Sequence, residues 1–200
     1  MDLEYSLDTE TVLTKQWDRE WVIERFQHTL KYGNGAQGYD LVVILLPSVD
    51  SHGHHTVSGL LALEAIDRLQ QMNSTVVHIP TVIGGSEFVL YEPPTYPQNE
   101  LAEILTNTTH SEFRFNLRWK TINLPAVDYQ TIPFWMAAEH KSQGTLFNQL
   151  LTEYNREYEQ YFYFAINERY NPEGRLSMVQ NLFTQLADLH QDEGMEVDNY

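Results

Sequence analysis

The sequence predicts an α/β fold, a parallel sheet flanked by helices with a β-hairpin extension, and three observations predict it. Leu41-Val42-Val43-Ile44-Leu45-Leu46 is an unbroken apolar run of strand length, the pattern of a strand covered on both faces inside a parallel sheet. Val57, Leu60, Leu61, Ala65, Ile66 and Leu69 follow it at helical spacing, and Thr75 to Ile79 reads as a second short strand. Strand, helix, strand within about forty residues is a βαβ unit, which implies a right-handed parallel crossover.

The other elements follow in chain order. Residues 1–13 are acidic and weakly patterned, an extended lead-in. Trp17, Trp21, Val22, Phe26 and Leu30 sit at helical spacing, with Asp18 placed to cap the helix and Gly33, Gly35 and Gly38 breaking the pattern. Phe88 to Tyr91 and Phe113 to Lys120 read as strands of the extension, separated by a turn at Pro93, Pro94 and Pro97, with Gly84-Gly85 as a hairpin turn or bulge. Helical patterns return at Phe134–Lys141 and at Leu146, Phe147, Leu150, Leu151, Tyr154 and Tyr158. Tyr161 to Ile166 reads as a final strand, Asn171-Pro172 as a turn, and Leu176 to Leu189 as an amphipathic helix. One α/β domain is expected over residues 1–190, with 191–200 a solvated tail.

Composition narrows the function classes. The 28 acidic and 12 basic residues leave a net charge of −16, which repels a phosphate backbone and makes nucleic acid and anionic membranes poor partners. No apolar run approaches the roughly 18 residues of a membrane span. Asp2, Glu4, Asp8 and Glu10 with no base among them are the opposite of a signal peptide's basic start. The chain has no cysteine, so disulfides, thiol nucleophiles and thiolate metal sites are excluded. The expectation is a soluble cytoplasmic protein.

The chemistry concentrates in Pro47-Ser48-Val49-Asp50-Ser51-His52-Gly53-His54-His55, between the apolar strand and the following helix. Open α/β sheets bind ligands beyond the carboxyl ends of their strands, and this loop lies there. Three imidazoles in four residues, with Gly53 permitting a tight bend, suit a zinc-type divalent ion. Histidines at a helix start are also compatible with an inert surface. A hydrolytic zinc takes three protein ligands and a water, so ligands from elsewhere are required. Ser48 and Ser58 do not sit in a Gly-x-Ser-x-Gly elbow, which argues against a serine hydrolase. The tyrosines at 154, 158, 161 and 163 fit half-buried packing better than sugar stacking.

Ser48 to Gly59, followed by Leu63-Glu64-Ala65, resembles the second motif of the PIG-L/LmbE-type zinc-dependent deacetylases. Ala138-Glu139-His140-Lys141-Ser142-Gln143 is similar to a His-Lys/Arg-Ser-Gln stretch late in many members. The resemblance implies a Rossmann-like fold and hydrolysis of the N-acetyl group of an amino sugar or sugar conjugate. It makes His55 the metal ligand and His52 the catalytic residue beside the developing oxyanion. Asp50, His54 and His140 are candidate substrate contacts, although a histidine on an amphipathic helix, such as His140, is more often a surface or hydrogen-bonded one.

The family's Pro-His-Pro-Asp-Asp-Glu loop, which supplies two further zinc ligands and the general base, has no counterpart here. On that reading the chain is the C-terminal portion of a deacetylase, and its zinc needs ligands from outside it. If the preceding strands are lacking, Leu41–Leu46 lies near a sheet edge, and association with a complementary chain or another copy, or marginal solubility, follows. The alternative is a non-catalytic remnant or a sugar- or partner-binding module.

Overall fold

The computed structural model describes residues 6–72, 78–124, 126–133, 135, 157–169 and 174–191. Among the described residues the sheet has four strands, β1 (Leu41–Leu45), β2 (Thr81–Gly85), β3 (Thr108–Asn116) and β4 (Tyr158–Phe164), in the order β1-β2-β4-β3. The helices include α1 (Thr9–Thr11), α2 (Arg19–Tyr32), α3 (Gly53–Gln71), α4 (Glu100–Leu105) and α5 (Arg175–Gln191).

The βαβ unit is present as β1-α3-β2, with β1 and β2 parallel and Leu41 opposite Thr81. The sheet as a whole is mixed, because β4 pairs antiparallel with β2, placing Ile83 opposite Tyr163. β1 therefore ends the strand order and is not the interior strand its apolar run suggests. Ile44 packs into the core, while Val43 is 55% and Leu45 38% exposed on the other face.

The second strand begins six residues later than Thr75: residues 73–77 lie outside the described part, His78–Pro80 form no strand, and β2 ends in Gly84-Gly85. Both glycines belong to the strand, and at Gly84 packing requires one. A Cβ on Gly84 would stand 2.8 Å from both Leu46 Cδ1 and Phe164 Cζ. Phe88–Tyr91 forms no strand, since the Ser86 hydroxyl accepts from Phe88 N and donates to Phe88 O, turning the chain away from the sheet. Of the helical pattern at 134–141 only Trp135 is described, and it is helical; its other residues, the pattern at 146–154, His140, the Asn171-Pro172 turn and residues 192–200 lie outside the described residues, and Tyr158 belongs to β4. The lead-in is helical rather than extended: α1 runs into a π turn at Val12–Gln16, and Val12 is fully buried.

Two compact units make up the chain. The first comprises Met1–Glu112 and Tyr161–Leu176. Its helix α2 starts where Asp18 accepts from Trp21 N at 3.1 Å. Helix α3 packs against both α2 and β1, which is why it is buried nearly all round. Leu63, Ile66 and Leu69 join Ile44, Leu46, Val82, Phe162 and Phe164 in one cluster, while Val57, Leu61 and Ala65 join Val12 and Ile23 in another. Each such aliphatic side chain contributes about 2 kcal/mol by leaving water. Glu64, almost buried, accepts from Arg19 and Arg68, and Arg68 also pairs with Glu20, tying α3 to α2.

Asn167 finishes the sheet where β4 ends. Its buried side chain accepts from Val82 N and donates to Val82 O, each at 2.8 Å, and donates to Phe164 O at 2.9 Å. The amide thereby supplies the two bonds that another strand residue would have made.

The second unit comprises Phe113–Gln160 and Ser177–Tyr200. It is organised by rings: Phe113 stacks on Phe183 at 5.0 Å, and Trp119 stacks on the buried His190 at 4.8 Å. Phe115 meets Trp119 and Tyr129 edge-on. Among the described residues no helix is long and apolar enough to cross a membrane.

Candidate functional site

The loop between β1 and α3 is built from backbone bonds outward. Leu46 N donates to Gly85 O at 2.9 Å as the last rung between β1 and β2, and Pro47 then ends the ladder. Buried Ser48 turns the chain: its hydroxyl donates to Asp50 Oδ2 at 3.0 Å and accepts from Asp50 N at 3.1 Å. The Thr56 hydroxyl, fully buried, donates to Ser48 O at 3.0 Å and pins the loop to α3. His52 is the residue before the first turn of α3, with φ −77° and ψ 159°, and its side chain makes no capping bond.

Gly53 is needed here for a reason other than a bend. A Cβ on it would lie 2.8 Å from Asp8 O and 3.0 Å from Ser6 O, so glycine lets residues 6–8 cross the start of α3. Gly59, further along the helix, plays the same part against β1: a Cβ there would lie 2.4 Å from Leu45 O.

The side chains at the helix start divide into two groups. The rings of His52 and His55 lie 3.7 Å apart, tilted by 39°. His54 turns toward Trp17, with ring centroids 5.8 Å apart, and its ring is 6.4 Å from that of His52. His55 Nδ1 is 2.6 Å from Glu87 Oε1, and the Ser51 hydroxyl donates to Glu87 Oε2. Glu87 leaves the sheet just past β2, so this cluster joins the carboxyl ends of the two parallel strands, the place where open α/β sheets bind ligands. Burial, and then the neighbouring His55, hold the His52 imidazole below its ordinary pKa, so it is neutral at pH 7.

Of the sequence-predicted residues, His52 and His55 come together. Asp50 is exposed with its carboxylate bonded to Ser48, His54 faces Trp17, and His140 lies outside the described residues. The Ser58 hydroxyl donates to His55 O at 2.7 Å and the Ser48 hydroxyl to Asp50, so each is bonded within the loop and helix start. Glu87 and Ser51 were missed as site residues. The signal for Glu87 was its position two residues past an apolar strand, hidden while Gly84-Gly85 read as a turn.

Two adjacent imidazoles provide the nitrogen donors that suit a zinc-type ion. They are fewer than the three protein ligands of a hydrolytic zinc, and among the described residues no three His, Asp or Glu side chains are grouped to hold a metal ion. The residues present fit part of a metal centre and do not close one.

Compared with known proteins, the chain matches no family model, no curated protein and no solved structure.

Proposed function

We propose that this chain carries one side of a metal-dependent amide hydrolase site, acting on the N-acetyl group of an amino sugar or sugar conjugate. In this reading β1-α3-β2 is one βαβ half of a Rossmann-like sheet, with the active site at its carboxyl end. The observation that carries the proposal is the placement of the His52 ring 3.7 Å from His55 at the carboxyl end of β1. His55 holds the ion through a ring nitrogen. His52, kept neutral by burial, donates an N–H to the amide oxygen as negative charge develops there. A zinc-type ion, when bound, supplies Lewis acidity toward water and the amide carbonyl. The remaining ligands and the general base come from residues beyond those described or from another chain.

Binding without catalysis is the second reading, favoured by the lack of a third ligand among the described residues. Calorimetric titration with zinc chloride, paired with acetate release from N-acetylglucosamine conjugates, tests the proposal. The expected result is zinc binding that His55→Ala abolishes and His52→Ala retains. Zinc binding without acetate release, with or without added partner chains, favours the second reading. Absence of zinc binding both alone and with added partner chains, or binding undiminished in His55→Ala, overturns both the ligand assignment and the hydrolase.

A further inference from the structure

We infer that Glu87 is the positioning residue of this site, holding His55 as its Nδ1–H tautomer so that the Nε2 lone pair is the one offered to a ligand. Glu87 has a carboxylate with two oxygens, and both are engaged by the helix start: Oε1 with His55 Nδ1 at 2.6 Å, Oε2 with the Ser51 hydroxyl. An ionised carboxylate only accepts hydrogen bonds, so the proton of this short contact sits on Nδ1. In a neutral imidazole the other nitrogen then carries the lone pair.

The two-point grip also fixes the angle of the ring. Ser51 and His55 are four residues apart at the entry to α3, and a carboxylate bridging them ties the loop after β1 to the loop after β2. His55 is 39% exposed at its side chain and Glu87 25%, so a solvated pair alone would leave the ring able to turn. The second bond from Ser51 is what stops it. Where a histidine binds a metal, a carboxylate on its other nitrogen raises ligand basicity and sets orientation, and its loss costs about 10–100-fold in metal affinity.

The tautomer claim stands on its own geometry, and only its metal arm rests on the reading of His55 as a ligand. Long-range proton–nitrogen NMR on the full chain, recorded with the imidazoles neutral, identifies the protonated nitrogen of His55 directly. The wild type is expected to show Nδ1 protonated. Glu87→Gln, whose amide oxygen still accepts from Nδ1, is expected to retain that tautomer, and Glu87→Ala to lose it.

In the metal arm, zinc affinity is expected to fall about 10–100-fold in Glu87→Ala and less in Glu87→Gln. A wild-type ring protonated on Nε2, or a tautomer unchanged in Glu87→Ala, overturns the inference. So does an intact zinc affinity in a Glu87→Ala protein whose wild type binds zinc. If the wild type shows the Nδ1–H tautomer and binds no zinc, the positioning role is upheld and the metal reading alone fails. Should Glu87→Ala not fold, Ser51→Ala removes one half of the grip, and an unaltered His55 ring signal in that variant overturns the two-point clamp.

Discussion

Replacing Gly59 with alanine sets two opposing effects against each other at the contact between α3 and β1. In an unobstructed helix interior the change stabilises by about 1 kcal/mol, because glycine spends more backbone entropy. Here the new methyl would lie 2.4 Å from Leu45 O and 3.2 Å from Pro47 Cβ and Cδ. Its nearest neighbours are a backbone carbonyl and a proline ring, neither of which swings aside as a flexible side chain does. The helix must move outward by about 0.6 Å or more to restore a contact of 3.0 Å.

Forcing a methyl into a packed site costs about 1–3 kcal/mol, and rigid neighbours place this case at the upper end. The net expectation is destabilisation by about 2 kcal/mol. For a chain of this size that lowers Tm by about 4–8 °C. Thermal melts followed by circular dichroism measure it, with urea midpoints as a second probe. A Gly59→Ala protein at least as stable as the wild type would refute the close approach of α3 to β1, and with it the placement of the histidine loop that the approach holds.

Other perturbations test other joints. Asn167→Ala leaves the buried N–H and C=O of Val82 without partners and should cost about 3 kcal/mol, with hydrogen exchange at Val82 N accelerated; unchanged exchange contradicts the bridging role. Glu64→Ala should cost about 1–2 kcal/mol, since Arg19 and Arg68 keep 42% and 33% side-chain exposure and solvent screens them. That loss should shrink in about 1 M salt, and a salt-independent loss would point to packing instead. Tyr163 has its pKa pushed up to about 12 by burial, above its ordinary value of 10.0. Folding thus favours the protonated phenol, and that stabilisation is complete below pH 10.0 and declines as pH rises toward about 12. Tyr163→Phe should flatten this alkaline decline, and an unchanged profile above pH 10.0 would rule the phenol out as its source.

Much of the first unit was legible in the sequence where one face of an element has one neighbour. The spacing of Trp17 to Leu30 and the Asp18 cap foretold α2 and the spacing of Val57 to Leu69 foretold α3, while in the second unit the Leu176–Leu189 pattern foretold α5. What failed to show depends on which strand arrives beside which. The apolar run at 41–46 reads as interior, yet β4 takes the place beside β2 and leaves β1 at the end of the order. The strand 81–85 was hidden by its own glycines, of which Gly84 leaves the space that Leu46 and Phe164 occupy. At the site the same division holds. His52 and His55 share one short stretch of chain, so their meeting is local, whereas the grip of Glu87 on His55 spans 32 residues. No pattern within one segment encodes that.

The discontinuity of the first unit bears on how the protein emerges from a ribosome. Residues 113–160 must all be synthesised before Tyr161–Leu176 can join the part already made. Until then the nascent chain holds β2 with one flank unpaired and Val82 without the Asn167 amide. Vectorial synthesis thus delays closure of this sheet, and a polypeptide halted after Glu112 would present that bare flank to chaperones rather than a finished unit.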